Sequence, residues 1–210
     1  KNNQSAKSKS ITVNKKINFD KINDYNWIVD GTPTDCMIFA LNHIMKISKP
    51  DLILSGINAG SNVGDEVSYS GTVAAAWEGA VRGINSISLS QYGGDDALDS
   101  YSCSKNYSFD IINYLINCKI HFPFFFNVNF PYILSKVSHI QNFCFTKLES
   151  QKKGDELILN ENSKYFRIGR MINYNKTSFQ TDLDILKDNR ISITPLSLNL
   201  TNDKLLNELK

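Results

Sequence analysis

The sequence predicts an α/β fold, a mostly parallel sheet with helices on both faces, followed by a β-rich extension. Three observations carry that expectation. Short apolar runs alternate with helical stripes as far as Pro131, the order of β–α–β units. One run, Leu52-Ile53-Leu54, opens into a long loop of small and polar residues and then a helix beginning Ser-Gly-Thr. Beyond residue 142 the stripes give way to short alternating runs between polar turns, the period of strands.

In chain order, residues 11–19 (ITVNKKINF) and 27–29 (WIV) read as strands. A helix starts at Thr32-Pro33. Thr32 can cap, and Pro33 sits in the first turn, where a missing N–H costs nothing. Met37, Ile38, Leu41, Ile44 and Met45 then form an amphipathic stripe ending before Pro50. Leu52–Leu54 is continuously apolar, as a strand buried on both faces would be. A glycine-rich loop over 56–69 follows, then a helix from about residue 71 to 82, closed by Gly83. Ile87 and Leu89 mark another strand, 91–104 a polar loop and 106–117 a helix. Phe124–Val128 is a further apolar strand, stopped by Pro131. The runs at 142–147, 156–159, 164–168 and 191–196 make up the extension.

Composition narrows the function classes. The chain has 210 residues, 41% hydrophobic and 21% charged, enough apolar surface for a real core. Its net charge of +2 gives no electrostatic case for a nucleic-acid or anionic-membrane partner. No apolar run reaches the roughly 18–20 residues of a membrane span, and the polar, basic start does not resemble a secretory signal. Cys36, Cys103, Cys118 and Cys144 lie far apart, without a Cys-x-x-Cys pair. They read as reduced, mostly buried thiols of a cytoplasmic protein. The 24 Asn and the 19 Lys against 4 Arg fit a drift toward A+T-rich codons better than a binding role.

The densest chemical signal runs from Leu52 to Ala76. A ligand of an open parallel sheet binds beyond the carboxyl ends of the strands, where this loop emerges. The first turn of the following helix leaves N–H groups unpaired, and its dipole places partial positive charge there. Ser70, Gly71 and Thr72 therefore suit a phosphate or other oxyanion. The alternative is a Ser-capped helix whose Ala74, Ala75, Ala76, Gly79 and Ala80 serve only close packing, but the long small-residue loop favours the anion seat. No Gly-Lys-Ser/Thr or Gly-x-Gly-x-x-Gly run is present, so neither common nucleotide loop applies.

Asn58, just past the strand, offers a hard neutral oxygen suited to Mg²⁺ or Mn²⁺, although an isolated Asn also caps turns. Gly60, Asn62 and Asp65 are possible loop contributors. Asp65 and Glu66 could ligate a metal or simply be solvated. His43, His121 and His139 occupy unrelated contexts, and Ser55-Gly56 lacks a nucleophile elbow.

Ser55-Gly56-Ile57-Asn58-Ala59-Gly60, followed by Tyr69-Ser70-Gly71-Thr72-Val73-Ala74-Ala75-Ala76, resembles the survival protein E (SurE) family of metal-dependent nucleoside 5′/3′-monophosphate phosphatases. Gly31-Thr32-Pro33-Thr34-Asp35-Cys36, Phe126-Asn127-Val128-Asn129-Phe130-Pro131 and Thr181-Asp182 with Ile191–Leu196 resemble further stretches of that family, in the same order. The resemblance implies a Rossmann-like three-layer α/β core and an arm exchanged between subunits. It also implies one divalent metal per subunit, Mg²⁺ or Mn²⁺, held by two adjacent aspartates, a serine and an asparagine. Asn58 matches the asparagine. Ser5, in a segment resembling the family's Arg-x-x-Ser-Gly-x-Ser, matches the serine, with Ala6 in place of the Gly.

The paired aspartates have no counterpart here, so no catalytic residue is assignable within this chain. Lys1 is not Met, and the chain reads as part of a longer one whose first strand carries them. The expected organisation is a core over 1–145 lacking its first strand, and a β-rich oligomerisation arm over 146–210 that returns to the core. The expected activity is hydrolysis of nucleoside 5′- and 3′-monophosphates by a cytoplasmic homodimer or homotetramer, with no nucleic-acid or membrane partner. This stretch alone is expected to be poorly stable and inactive. The rival expectations are an inactive relic of the same fold and a non-enzymatic anion-binding module.

Overall fold

A computed structural model describes residues 7–92, 101–120, 123–132, 143–149, 152–160, 164–173 and 181–210. The central sheet has five strands in the order β3-β4-β5-β9-β6: β3 (Leu52–Ala59), β4 (Asn85–Gln91), β5 (Phe125–Phe130), β9 (Ile191–Pro195) and β6 (Phe143–Phe145). β3, β4 and β5 are parallel. β9 runs antiparallel to β5, and β6 is parallel to β9. The expected mostly parallel sheet is present, and a strand of the C-terminal extension sits inside it.

The two faces of this sheet differ because side chains alternate along a strand. Ile87, Leu89, Phe126, Val128, Phe130 and Ile193 point to one side and pack with Cys103, Ile111 and Leu115 of helix α3 (Ser102–Ile116). Burying each such side chain contributes about 1.5–3 kcal/mol. On the other face Phe125 packs with Val73, Ala76 and Ala80 of helix α2 (Gly71–Val81). Its neighbours there are polar: Ser86, Ser88, Ser90, Asn127, Asn129 and Ser192 are all fully buried. Small residues let α2 lie close to this face, and a Cβ on Gly79 would run into Ile53 and stand 2.9 Å from the Ser86 hydroxyl. Helices cover both faces.

Helix α1 (Pro33–Phe39) opens with a capping box. The Thr32 side chain accepts from the Asp35 N–H, and the Asp35 carboxylate accepts from the Thr32 N–H. A π-helical turn over Ala40–Ile44 continues it. Phe19 of β1 (Phe19–Lys21) and Trp27 of β2 (Trp27–Val29) pack their rings against Phe39 and His43, with centroids 4.6–6.1 Å apart. His43 is thus a packing residue.

Three expectations need correction. Residues 11–17 are not a strand, because Thr12 spends its N–H and hydroxyl on Asp35, at 2.9 and 2.7 Å. β3 is not buried on both faces: it is an edge strand of the described sheet, with Leu54 48% exposed. α3 begins at Ser102 rather than 106, its first turn held by the buried Cys103. Of the four free thiols only Cys103 is buried. Burial pushes it up to about 12.

β7 (Lys152–Asn160) and β8 (Tyr165–Asn173) form a separate antiparallel ribbon with Leu157, Leu159, Phe166 and Ile168 exposed. α4 (Asp182–Lys187) precedes β9, and α5 (Asp203–Glu208) presents exposed Leu205 and Leu206.

Candidate functional site

The parallel strands β3, β4 and β5 end at Ala59, Gln91 and Phe130, so their carboxyl ends share one side of the sheet. Asn58 stands in register with Ser90 just before that end. Its side-chain nitrogen donates to the carbonyls of Gly60 (2.9 Å) and Ala59 (3.3 Å). Those two carbonyls fix the amide's orientation, because only the nitrogen can face them. The strand extends through Ala59, so the loop begins later than the glycines suggest; the Gly56–Ile57 peptide is cis.

Between Asn58 and α2 the loop is tied down at alternate residues. The Gly60 N–H donates to the Gln91 carbonyl (2.9 Å). At Asn62 the main chain is gripped from both sides. Its N–H donates to Asn129 Oδ1 (2.8 Å), and its carbonyl accepts from Asn129 Nδ2 (3.0 Å) and Asn127 Nδ2 (2.8 Å). The Asn62 side chain donates to Ser90 Oγ (2.7 Å), and Ser88 Oγ donates to Asn127 Oδ1 (2.9 Å). The Gly64 N–H donates to Asp182 Oδ2 (2.8 Å). Gly64 has φ +53°, and a Cβ there would strike the Glu149 carbonyl, so only glycine fits.

Asp182 is fully buried, and its other oxygen accepts from the Glu149 and Leu183 N–H groups, both at 2.9 Å. Burial raises its pKa, with a smaller push from Glu149, against the three amide donors that lower it.

A short 3₁₀ turn, Gly64–Ser68, leads to α2. The Ser70 backbone is extended and its hydroxyl accepts from the Val73 N–H (3.1 Å), a standard N-cap. The first intrahelical bond runs from the Ala74 N–H to the Ser70 carbonyl (3.0 Å), so the Gly71 and Thr72 amides precede it. Ser70 thus acts as a cap, and the Gly71 and Thr72 amides are left at the open end of the helix, where an anion would be favoured. The N-terminal segment lies alongside: the Ser8 N–H donates to the Tyr69 carbonyl (3.1 Å) and Ser8 Oγ to the Ser68 carbonyl (2.5 Å). Lys9 Nζ sits 4.3 Å from the Trp77 ring centre, and burial lowers its pKa.

Asn58, Gly60 and Ser70–Thr72 thus flank one loop, and Asn62 serves as its buried anchor. Asp65 is half-buried in the 3₁₀ turn, and Ser5 lies outside the described residues. No group of three His, Cys, Asp or Glu suited to a metal occurs among the described residues. Asn58 therefore offers one oxygen of a suitable kind without a complete ligand set. The sequence reading assigned no role to Asn127, Asn129, Ser90 or Asp182. The available signal was polar side chains on one parity of two otherwise apolar strands, SISLS and FFNVNF.

Residues 1–155 match the family "Survival protein SurE". The chain is 35% identical over 201 residues to the 5′-nucleotidase SurE of Paramagnetospirillum magneticum, covering 94% of this chain and 76% of that protein. It is 36% identical over 205 residues to the 5′-nucleotidase SurE of Parvibaculum lavamentivorans, covering 96% and 74%. The crystal structure of the SurE protein from Aquifex aeolicus superimposes with a TM-score of 0.82 at 30% identity, covering 99% of this chain and 84% of that one.

Proposed function

Because the chain belongs to the survival protein SurE family, we propose that it acts as a 5′-nucleotidase that also accepts 3′-monophosphates. The observation that carries the proposal is the loop joining Asn58 to the α2 N-terminus, with an amide oxygen at one end and two amides ahead of the first intrahelical bond at the other.

In this reading a nucleoside monophosphate places its phosphoryl oxygens on the Gly71 and Thr72 amides, and the α2 dipole favours their negative charge. Water forms the new P–O bond, the ester P–O bond breaks, and the leaving oxygen takes a proton to give nucleoside and inorganic phosphate. We assign Asn58 and Ser5 to one Mg²⁺ or Mn²⁺ per subunit, with anionic ligands from outside the described residues. When bound, such a cation polarises phosphoryl oxygens and orients water. Among the described residues no strand pairs the outer edge of β3.

The ribbon β7–β8 and helix α5, parts of the 146–210 extension whose β9 returns to the core, expose apolar side chains that a second subunit would cover, and we assign them to homodimer or homotetramer contacts. No described helix is long and apolar enough to cross a membrane. The four free thiols support a cytoplasmic setting.

The test is phosphate release from 5′-AMP and 3′-AMP by the protein expressed from its complete coding sequence, with Mn²⁺ and with chelator. The expected outcome is metal-dependent release that falls at least about 100-fold in Asn58→Ala. Absence of metal-dependent release, or full activity in Asn58→Ala, would overturn the assignment.

A further inference from the structure

We propose that Asn129, Asn127 and Asp182 are positioning residues of this site: by holding the main chain of Asn62 and Gly64 they fix the loop that runs from Asn58 at the end of β3 to the Gly71 and Thr72 amides of α2. The inference rests on the nucleotidase reading and adds to it residues that touch neither phosphate nor metal.

Asn129 binds the Asn62 residue as a neighbouring strand would, accepting its N–H and donating to its carbonyl, at 2.8 and 3.0 Å. Only a carboxamide of this length can do both at once. Asn127 adds a second donor to the same carbonyl, and its own oxygen is held by Ser88. Two residues further on, Asp182 takes the Gly64 N–H on one oxygen and ties the other to Glu149 and to the start of α4. The loop is therefore pinned to β5 and to α4, elements far from it in sequence.

All five polar side chains in the lattice beneath Asn62 and Gly64 — Ser88, Ser90, Asn127, Asn129 and Asp182 — are no more than marginally exposed. Apolar residues in their places could fill the same volume. They could not hold two main-chain peptides in one orientation, whereas a satisfied buried polar network specifies a single arrangement. Apolar burial contributes less here: Val63 is the loop's one buried apolar side chain among the described residues, with Val67 partly buried against α2. A displacement of about 1 Å between ligand oxygen and anion seat costs on the order of 100-fold in rate.

The experiment uses the whole protein and compares wild type, Asn129→Asp and Ile111→Val. Asn129→Asp keeps the shape but sets a carboxylate oxygen against the Asn62 carbonyl. Ile111→Val trims the core on the α3 side, away from the loop. Steady-state 5′-AMP hydrolysis is measured well below each variant's melting temperature, alongside hydrogen exchange of the loop amides.

The expected result for Asn129→Asp is a fall in kcat of about 10- to 100-fold with faster exchange at Asn62 and Gly64. Exchange at Ile87 and Val128 is unchanged, and Ile111→Val keeps wild-type kcat. If Asn129→Asp does not fold, Asp182→Asn carries the same test, because it removes the acceptor facing Gly64. Loop exchange and kcat both within about twofold of wild type would overturn the inference, and so would faster loop exchange without loss of kcat. A wild-type protein that releases no phosphate would overturn the nucleotidase reading instead, and loop exchange in Asn129→Asp would still decide whether Asn129 holds the loop.

Discussion

Asp35 shows how one side chain joins distant parts of the chain. Its carboxylate accepts from the Thr12 and Thr32 N–H groups and from the Thr12 hydroxyl. Burial pushes its pKa up, but the bonds from Thr12 and Thr32 outweigh burial and hold it below the ordinary 3.8. A depressed folded-state pKa gives stability that is present above the unfolded value and lost as pH falls through the folded one. The urea midpoint of wild type is therefore expected to fall on acidification below about pH 4, and more steeply than that of Asp35→Asn. Equal acid slopes would show that Asp35 is not held in this way. The cap was legible in Gly-Thr-Pro-Thr-Asp-Cys, because capping follows from local spacing. Thr12 was not, since a bond spanning 23 positions leaves no local trace. The partners of Asn129 and Asp182 escaped sequence reading for the same reason, although the polar parity of FFNVNF marks Asn129 itself.

Among the elements, α2 was the most legible, with Ser70 ahead of it and Gly83 after it with φ +77°. Ser70→Ala is expected to cost about 1 kcal/mol and Ser70→Gly only a few tenths, read from urea midpoints. An Ala variant as stable as wild type would remove Ser70 from its capping role. The strand expected over 11–19 failed because alternation alone does not supply a partner strand: Thr12 goes to Asp35 and Ile17 lines a groove with Phe39 and His43. α3 began earlier than its apolar stripe suggested, since Cys103 and Ser104 are buried although the sequence around them is polar. Gln91 explains part of this. Its carboxamide accepts from the Ser104 N–H (2.9 Å) and donates to the Pro131 carbonyl (2.7 Å), so the end of β4 holds the start of α3.

At the scale of the molecule the parallel sense of β3, β4 and β5 was legible from the alternation of apolar runs with helical stripes, and the place of β9 was not. β9 pairs β5 across more than sixty residues, antiparallel, and carries Ile193 into the same apolar face as Val128. Nothing local in Ile-Ser-Ile-Thr-Pro distinguishes an inner strand from an arm. The two-faced character of the sheet, apolar against α3 and polar beneath α2 and its loop, is what turns this α/β core into a mount for one rigid loop. That loop matters only if a phosphoryl group rests on the amides it delivers. The direct measurement is an amide chemical-shift titration of the whole protein with inorganic phosphate in the presence of Mg²⁺. The account predicts saturable shifts centred on the Gly71 and Thr72 amides, with Asn58 moving in the same titration. Saturable binding that leaves Gly71 and Thr72 unmoved would contradict it.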